Sequence, residues 1–370
     1  MQKFSMTVPL SATKHYKVTQ QLRQKVVGLQ PGEQIPTHRS LMQEFDASQA
    51  TIDRALTTLR REGLVSRRDG SRRLIVRDVI ENVALRVRII RPDWPSNVYD
   101  LICRSVAQLG HERDWLFEYS FYRTMEGLDM EHALGNGQAG VILTTNEAIP
   151  DHLTKAFAKP RVPLVMVQDH RPELMTNTVC IDDRQMACMG VNHLVEHGHR
   201  RILLVLPTTS TGPMQDCASG WKQILNENHQ KNIDELLLDM NTPAGQDSRK
   251  NCYEQFKQYL QTKHTQFSAI YCANAEVMFA VMRVLNELKI DVPQQVSVVS
   301  ADSREEDAAY QVPPVTSMTY DPDAQAQAVV RLLEQQINHP SKTAKEVWIQ
   351  GYLQERQSVG KFSGKLLGET

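Results

Sequence analysis

No stretch of the chain approaches the roughly 18 consecutive apolar residues that a membrane-spanning helix needs, and the opening segment MQKFSMTVPLSATKHYK has no apolar core followed by a small-residue cleavage site. A cytoplasmic protein without a membrane partner is the expectation. Six cysteines, Cys103, Cys180, Cys188, Cys217, Cys252 and Cys272, form no C-x-x-C pair and stand mostly in apolar segments, where reduced thiols act as small hydrophobes. Neither a disulfide framework nor a zinc site is indicated. Also missing are G-x-G-x-x-G and G-x-x-x-x-G-K-[ST], so dinucleotides and nucleoside triphosphates lack their usual phosphate cradles and no cofactor is implied. His193 and His197 stand four apart on a helical pattern with His199 close by, but core packing is the stronger reading of that spacing and no metal is assigned. Cys180, Cys188 and Cys272 lack an activating neighbourhood in the sequence, so no catalytic thiol is assigned either.

What is present bounds the architecture. At 370 residues the chain exceeds the roughly 250–300 at which single cores stop growing, so two or more domains are expected. The formal net charge of −1 conceals an asymmetry: residues 1–78 carry 14 Lys and Arg against 7 Asp and Glu, and the remainder carries 28 against 36. A basic head on an acidic body points the head, and not the body, at a polyanion.

Within the head, Val18, Leu22, Val26 and Leu29 fall on one face of a helix that Pro31-Gly32 ends. Leu41, Met42 and Phe45 share one side of a short second helix over 39–45, followed by a turn at Asp46-Ala47. Ser48 then suits the N-cap of a third helix whose Ile52, Ala55, Leu56 and Leu59 repeat at helical spacing, with Gln49, Thr51, Asp53 and Arg54 opposite. A short helix, a tight turn and a longer helix with a polar start is the helix-turn-helix arrangement, whose second helix enters the major groove. Gly63 suits a left-handed cap, and 64–68 and 71–76 read as strands around Asp69-Gly70, a type I′ turn. The tip of this wing carries Arg67, Arg68, Arg72 and Arg73, while Leu64, Val65, Leu74 and Val76 anchor its base. Singly, each element reads as ordinary core-forming structure; their order argues for a winged helix-turn-helix.

The segment PGEQIPTHRSLMQEFDASQATIDRALTTLRREGLVSRRDG resembles the DNA-binding domain of GntR-type regulators, through Pro31-Gly32, Pro36/Arg39, Ser48/Thr51/Arg54-Ala55-Leu56 and Leu59/Glu62-Gly63-Leu64. The resemblance implies DNA contacts from Arg39, Ser48, Gln49, Thr51 and Gly70, to which the residue reading adds Arg54, Arg67, Arg68 and Arg72. Asp53 departs from the basic residue common there, and a carboxylate in that place accepts from a cytosine amino group or tethers Arg54 or Arg39.

Beyond a linker at 79–83, short apolar runs alternate with amphipathic helices, the rhythm of parallel sheets covered by helices. The predicted strands are 84–90, 115–122, 139–145, 163–169, 202–207, 236–240, 268–274 and 296–302, enough for two Rossmann-like lobes. In open α/β sheets ligands gather beyond the carboxyl ends of strands, where this sequence places Asp93-Trp94, Asp169, Asn274 and Asp302. Carboxylates and amides suit a hydroxyl-rich ligand and the indole its apolar face; the same residues also suit helix caps.

Thr178–Pro207 (TVCIDDRQMACMGVNHLVEHGHRRILLVLP), with Gly198-His199-Arg200-Arg201-Ile202, resembles the LacI-type sensor domain related to periplasmic sugar-binding proteins. Gly220-Trp221, residues 268–285, VSVVSAD at 296–302, PPVTSM at 313–318 and QERQS at 354–358 extend the match. The two modules together resemble the arabinose-repressor type. The resemblance implies effector contacts at Asp169, Asn274 and Asp302 and an effector-side position for Cys217, which stands where an arginine is usual, while Ala275 stands where an acidic residue is usual. The fold class expected is therefore α/β, a winged helix-turn-helix over 1–78 joined to a two-lobed periplasmic-binding-protein-like sensor over 84–358, with a tail at 359–370. The function expected is a homodimeric regulator, a repressor by resemblance, binding a double-stranded palindromic operator under the control of a sugar-like effector, and not an enzyme. Two alternatives stand beside it: a DNA-binding dimer whose sensor has lost its effector, and a fusion to a pyridoxal-phosphate aminotransferase-like body, which needs a Schiff-base lysine.

Overall fold

The computed structural model describes residues 14–30, 32–61, 64–67, 74–76, 85–94, 96–129, 138–145, 147, 149–158, 160, 162–170, 176–243, 246–262, 265–301, 304–341 and 343–368. The head forms from α1 (Lys14–Val27), α2 (His38–Glu44) and α3 (Gln49–Arg61), followed by the antiparallel pair β1 (Val65–Arg67) and β2 (Leu74–Val76). The apolar spacing explains why: Val18, Leu22, Val26, Leu41, Ile52, Ala55, Leu56 and Leu59 all turn into one core that Leu64, Val65, Leu74 and Val76 close from the wing side. Thr37 caps α2 by accepting from the Ser40 N–H at 3.3 Å. Ser48 does the same for α3, its Oγ 3.4 Å from the Thr51 N–H and 3.0 Å from Thr51 Oγ1. Asp46, at φ 44°, makes the reversal between them, a conformation that aspartate tolerates better than most residues.

The sequence reading treats Pro31-Gly32 only as a helix stop. In the structure the segment after it joins the wing: Gly32 donates to Val76 O and Ile35 to Leu74 O, while Val76 donates back to Glu33 O, at 2.9–3.1 Å. The cap at Gly63, the Asp69-Gly70 turn with Arg68, Arg72 and Arg73, and the linker 79–83 lie outside the described residues.

Two six-stranded sheets build the body. The first comprises β3 (Leu85–Pro92), β4 (Trp115–Tyr122), β5 (Gly140–Thr144), β6 (Leu164–Val167), β7 (Asn177–Ile181) and β13 (Glu346–Ile349), all parallel in the order β13-β7-β6-β5-β3-β4. The second comprises β8 (Ile202–Leu206), β9 (Leu237–Asp239), β10 (Ala269–Cys272), β11 (Ser297–Ala301), β12 (Thr316–Tyr320) and β14 (Gly351–Gln354), in the order β14-β12-β11-β10-β8-β9 and parallel except at β14. The helices between strands are α4 (Asn97–His111), α5 (Asp151–Ala158), α6 (Asp183–Glu196), α7 (Gly212–Glu227), α8 (Ser248–Thr262), α9 (Ala275–Glu287), α10 (Glu305–Ala309) and α11 (Pro322–Asn338).

The chain passes between the lobes at Asp182, Asp321 and Gln350, and two of these crossings are tied together. Gln350 Nε2 donates to Asp182 Oδ2 at 3.1 Å, and the Asp182 N–H donates to Ile349 O at 3.0 Å. Each crossing aspartate also caps the helix it starts, Asp182 accepting from Gln185 and Asp321 from Asp323 and Ala324.

The Gly-His-Arg-Arg-Ile segment is a structural clasp. Gly198 takes φ 91°, which only glycine adopts at little cost. Both ring nitrogens of buried His199 are engaged, Nδ1 with Ser268 Oγ at 2.9 Å and Nε2 with Gly360 O at 3.0 Å. Arg200 returns to the carbonyls of Val195 and His199, and Arg201 bonds Gln266 O and pairs with Glu235. The rings of His197 and His193 meet at a tilt of 54° with centroids 4.4 Å apart, and no metal-binding cluster occurs among the described residues. Residues 359–368, expected as a tail, belong to the second lobe: Gly360 clasps His199 and Ser297, Phe362 bonds His197 O, and Leu367 bridges Phe267.

Candidate functional site

On the head, α3 presents Gln49 and Arg54 to solvent and Thr51 half-buried, and α2 presents Arg39 beside the Ser48 cap. These polar groups are available because the apolar face of each helix is committed to the core. Asp53 is a correction. It tethers neither Arg54 nor Arg39 but pairs with His38 Nε2 at 2.9 Å, fixing the start of α2 against α3. Lys25 and Glu44, 2.6 Å apart, tie α1 to α2 in the same way. Arg67 lies on β1, with its backbone alone described; Arg68, Gly70 and Arg72 lie outside the described residues.

Between the lobes is a cleft of about 850 Å³. Trp94, Asn97 and Tyr99 line it from the β3–α4 turn, Glu147 and Gln168 from beyond β5 and β6, and Asp183 and Met186 from the start of α6. Thr211, Arg249, Asn274, Glu276 and Tyr320 line it from the second lobe. The lobes meet at its rim, where Asn97 Nδ2 donates to Asp307 Oδ2 at 3.2 Å. Gln168 holds φ 81° at the end of β6, an αL-like backbone that non-glycine residues seldom take.

Of the expected effector residues, Trp94 and Asn274 line this cleft. Asn274 is also a cap, its Oδ1 accepting from the Val277 N–H at 2.9 Å. Asp169 is buried beneath the start of α7: its Oδ1 accepts from the His170 N–H at 2.9 Å and would meet a Cβ on Gly212 at 2.8 Å. Asp93 turns instead to Arg123, 3.3 Å away, at the outer side of the strand end. Cys217 is a correction as well, being 2% exposed inside the second lobe's core; a thiol reaches one atom past Cβ and cannot do what a long guanidinium does from the same helix. Asp302 lies outside the described residues.

Several cleft residues escape the sequence reading. Tyr99, Glu147, Asp183, Thr211 and Glu276 sit inside helices or loops without a motif of their own, and Tyr320 ends the strand β12. Burial raises the carboxyl groups of Glu147 and Glu276 above the usual range. The Asp183 carboxyl is pushed up to about 8, first by burial and then by Asp216 on α7 and Asp182 beside it. Its other titratable neighbours, Cys217, Tyr271, Tyr320 and Cys180, are neutral groups that burial raises further.

A pH dependence follows. The folded protein keeps this proton to about pH 8, whereas an unhindered aspartate loses it near 3.8, so between those values the folded state binds more protons and stability falls as pH rises. Urea midpoints at mildly acidic and mildly alkaline pH are expected to drop for the wild type and to drop less for Asp183→Asn; equal slopes would contradict the burial of this charge.

Comparison with known proteins matches two parts of the chain. Residues 15–75 match the model for bacterial regulatory proteins of the gntR family, and residues 191–359 match that for the periplasmic binding protein-like domain. The arabinose metabolism transcriptional repressor of Geobacillus stearothermophilus is 22% identical over 298 residues, covering 76% of this chain and 81% of that repressor. A LacI family transcriptional regulator from Enterococcus faecium with bound ribose superposes with a TM-score of 0.65 at 19% identity, over 75% of this chain and all of that one. The lac repressor dimer bound to operator and an anti-inducer superposes at 0.66 and 19%, over 75% and 94%. This chain is a DNA-binding transcription regulator in which a gntR-type helix-turn-helix head is joined to a LacI-like, periplasmic binding protein-like sensor domain.

Proposed function

We propose that the protein is a cytoplasmic repressor, that two copies bind a palindromic operator through their heads, and that a small molecule in the cleft between the lobes controls this binding. The observation that carries the reading is the position of the cleft at the crossings. A ligand held by Trp94 and Gln168 on one lobe and by Thr211 and Asn274 on the other favours one lobe arrangement, and only such a preference can move operator affinity. The loss of an arginine at Cys217 does not remove the site, because the cleft keeps its volume and its polar lining. The match of residues 191–359 to a periplasmic binding protein-like domain favours this reading over the aminotransferase-like alternative, and the reading includes no covalent chemistry.

Each lobe also offers an exposed apolar surface for the second copy. On the first, Tyr119 and Phe121 stand on one face of β4, the edge of its sheet, beside a groove bounded by Arg91, Cys103, Arg104 and His111, and Leu116 is exposed on the other face. On the second, Tyr310 and Val312 are 84% and 86% exposed. A C2 dimer buries such patches against themselves.

The operator is obtained by selecting sequences from a random DNA pool. On that operator Arg39→Ala is expected to weaken binding to every sequence and to lower the salt slope by about one phosphate's worth. Gln49→Ala is expected to relax base preference at one position in each half-site, by about 1–3 kcal/mol. An unchanged salt slope for the first, or unchanged preference for the second, overturns the assignment of that residue.

A further inference from the structure

The charged groups of the cleft do not balance. Arg249 is its one cationic side chain among the described residues, and it leans on Asp247, whose Oδ1 is 3.7 Å from its Nε. Two of the lining carboxylates have partners outside the cleft, Asp100 the Arg91 guanidinium at 2.6 Å and Glu126 the His152 ring at 3.8 Å. Asp183 and Glu276 have no cation within 4 Å among the described residues; the Glu276 carboxylate accepts from its own backbone N–H and from that of Asn97, and Asp183 has only other carboxyl groups, Asp216 and Asp182, as charged neighbours. Glu276 faces the start of α4, near the Asn97 backbone. What α7 packs against Asp183 is a second carboxylate, Asp216, and the neutral Cys217.

Beside these carboxyl groups stand polar atoms that wait for a partner. Tyr99 Oη, Gln168 Nε2 and Thr211 Oγ1 are buried without any hydrogen bond, on residues 3%, 8% and 7% exposed, and all three residues line the cleft. Thr211 precedes α7 yet makes no capping bond. Buried hydrogen-bonding groups are seldom left unmade in a finished structure, so these describe the ligand that completes them.

We propose that the effector is a small hydroxyl-bearing amine whose ammonium group is held against Asp183, with Tyr99, Gln168 and Thr211 taking its polar groups. This rests on the reading of the cleft as an effector site. A neutral sugar satisfies the three orphaned groups but leaves Asp183 protonated and unpaired, and an anionic sugar holds that proton more firmly still. An ammonium supplies the counter-charge that the chain itself omits and donates to the carboxylate in a charge-assisted bond. As the amine binds, Asp183 ionises and releases its proton.

Thermal shift and calorimetric titration of the full chain separate the possibilities, with glucosamine, galactosamine and putrescine set against glucose, galactose and glucuronate. The expected result is that one of the amino sugars stabilises the protein while its neutral parent does not, and that Asp183→Asn lowers affinity for that amine by about tenfold or more while melting no lower than the wild type. Glu276→Gln provides a second reading if that variant fails to fold, with a smaller loss expected. Binding of the neutral or acidic sugars without the amines overturns the inference and leaves the effector reading intact. Equal amine affinity in wild type and Asp183→Asn overturns the role of Asp183. Absence of binding by all six overturns the inference and removes support from the effector reading as well.

Discussion

Replacing Trp221 with alanine is expected to cost the second lobe about 3–5 kcal/mol, a large part of the roughly 5–15 kcal/mol that holds a typical domain. Trp221 is fully buried, and its Nε1 donates to Ile202 O at 3.0 Å, so it locks α7 onto the first residue of β8. The cavity left by an indole is lined by residues of two packed elements and collapses poorly, and the Ile202 carbonyl loses its partner. Neighbouring Gly220 adds a second constraint: a Cβ there would lie 2.4 Å from Arg184 O on α6, a backbone atom with no means of yielding. Gly220→Val is therefore expected to separate α6 from α7 and to match or exceed the Trp221→Ala loss. Urea denaturation followed by circular dichroism measures both, and a loss under about 1 kcal/mol for Trp221→Ala contradicts the close packing described.

The head was legible because its information is local. Apolar spacing within α1 and α3, a serine before α3 and an Asp-Ala turn before that serine require no knowledge of distant residues. The eight expected body strands were legible for the same reason, as apolar runs, and all eight form with ends shifted by a few residues.

Strands β7, β12, β13 and β14 were not read. In β12, Thr316, Ser317 and Thr319 are buried polar residues, so the strand shows no apolar run. Their hydroxyls become tolerable only through partners some forty residues away: Arg356 Nη1 donates to Ser317 Oγ at 2.8 Å, the Arg356 N–H to Thr316 Oγ1 at 3.0 Å, and Ser358 Oγ accepts from the Thr316 N–H at 2.8 Å. The QERQS match was thus visible in the sequence, while the reason for it lies in the tertiary structure.

The site divides in the same manner. Trp94 and Asn274 were found because strand ends in α/β sheets point at ligands. Asp183 was missed because an acid in the first turn of a helix is ordinary, and what makes it unusual, Asp216 and Cys217 on a different helix, depends on how α7 lies on α6. Cys217 was misplaced for the converse reason: the position was right for a long cation, but the side chain present is too short to leave the core.

Phe121→Lys is expected to turn the proposed dimer into a monomer and to weaken operator binding by about a hundredfold or more. Phe121 is 61% exposed, stacked with Tyr119 at 6.4 Å between centroids, with the Arg91 guanidinium 6.0 Å from its ring centre. A single copy gains nothing by exposing two aromatic rings on an unpaired strand edge, which invites association. At the centre of an interface of standard size, an aromatic anchor is worth about 2–4 kcal/mol on truncation, and 2.7 kcal/mol corresponds to a factor of about 100. A lysine in its place must lose its water beside Arg91 and Arg104, which adds like-charge repulsion to the lost contact. Because two heads joined in one dimer bind a palindrome far more tightly than either alone, operator affinity follows the dimer, while affinity for an isolated half-site stays at its wild-type value. Sedimentation equilibrium reads the first effect and titration of full and half operators reads the second. A variant that stays dimeric places the interface elsewhere, and the exposed pair Tyr310 and Val312 on the second lobe is then the surface to test.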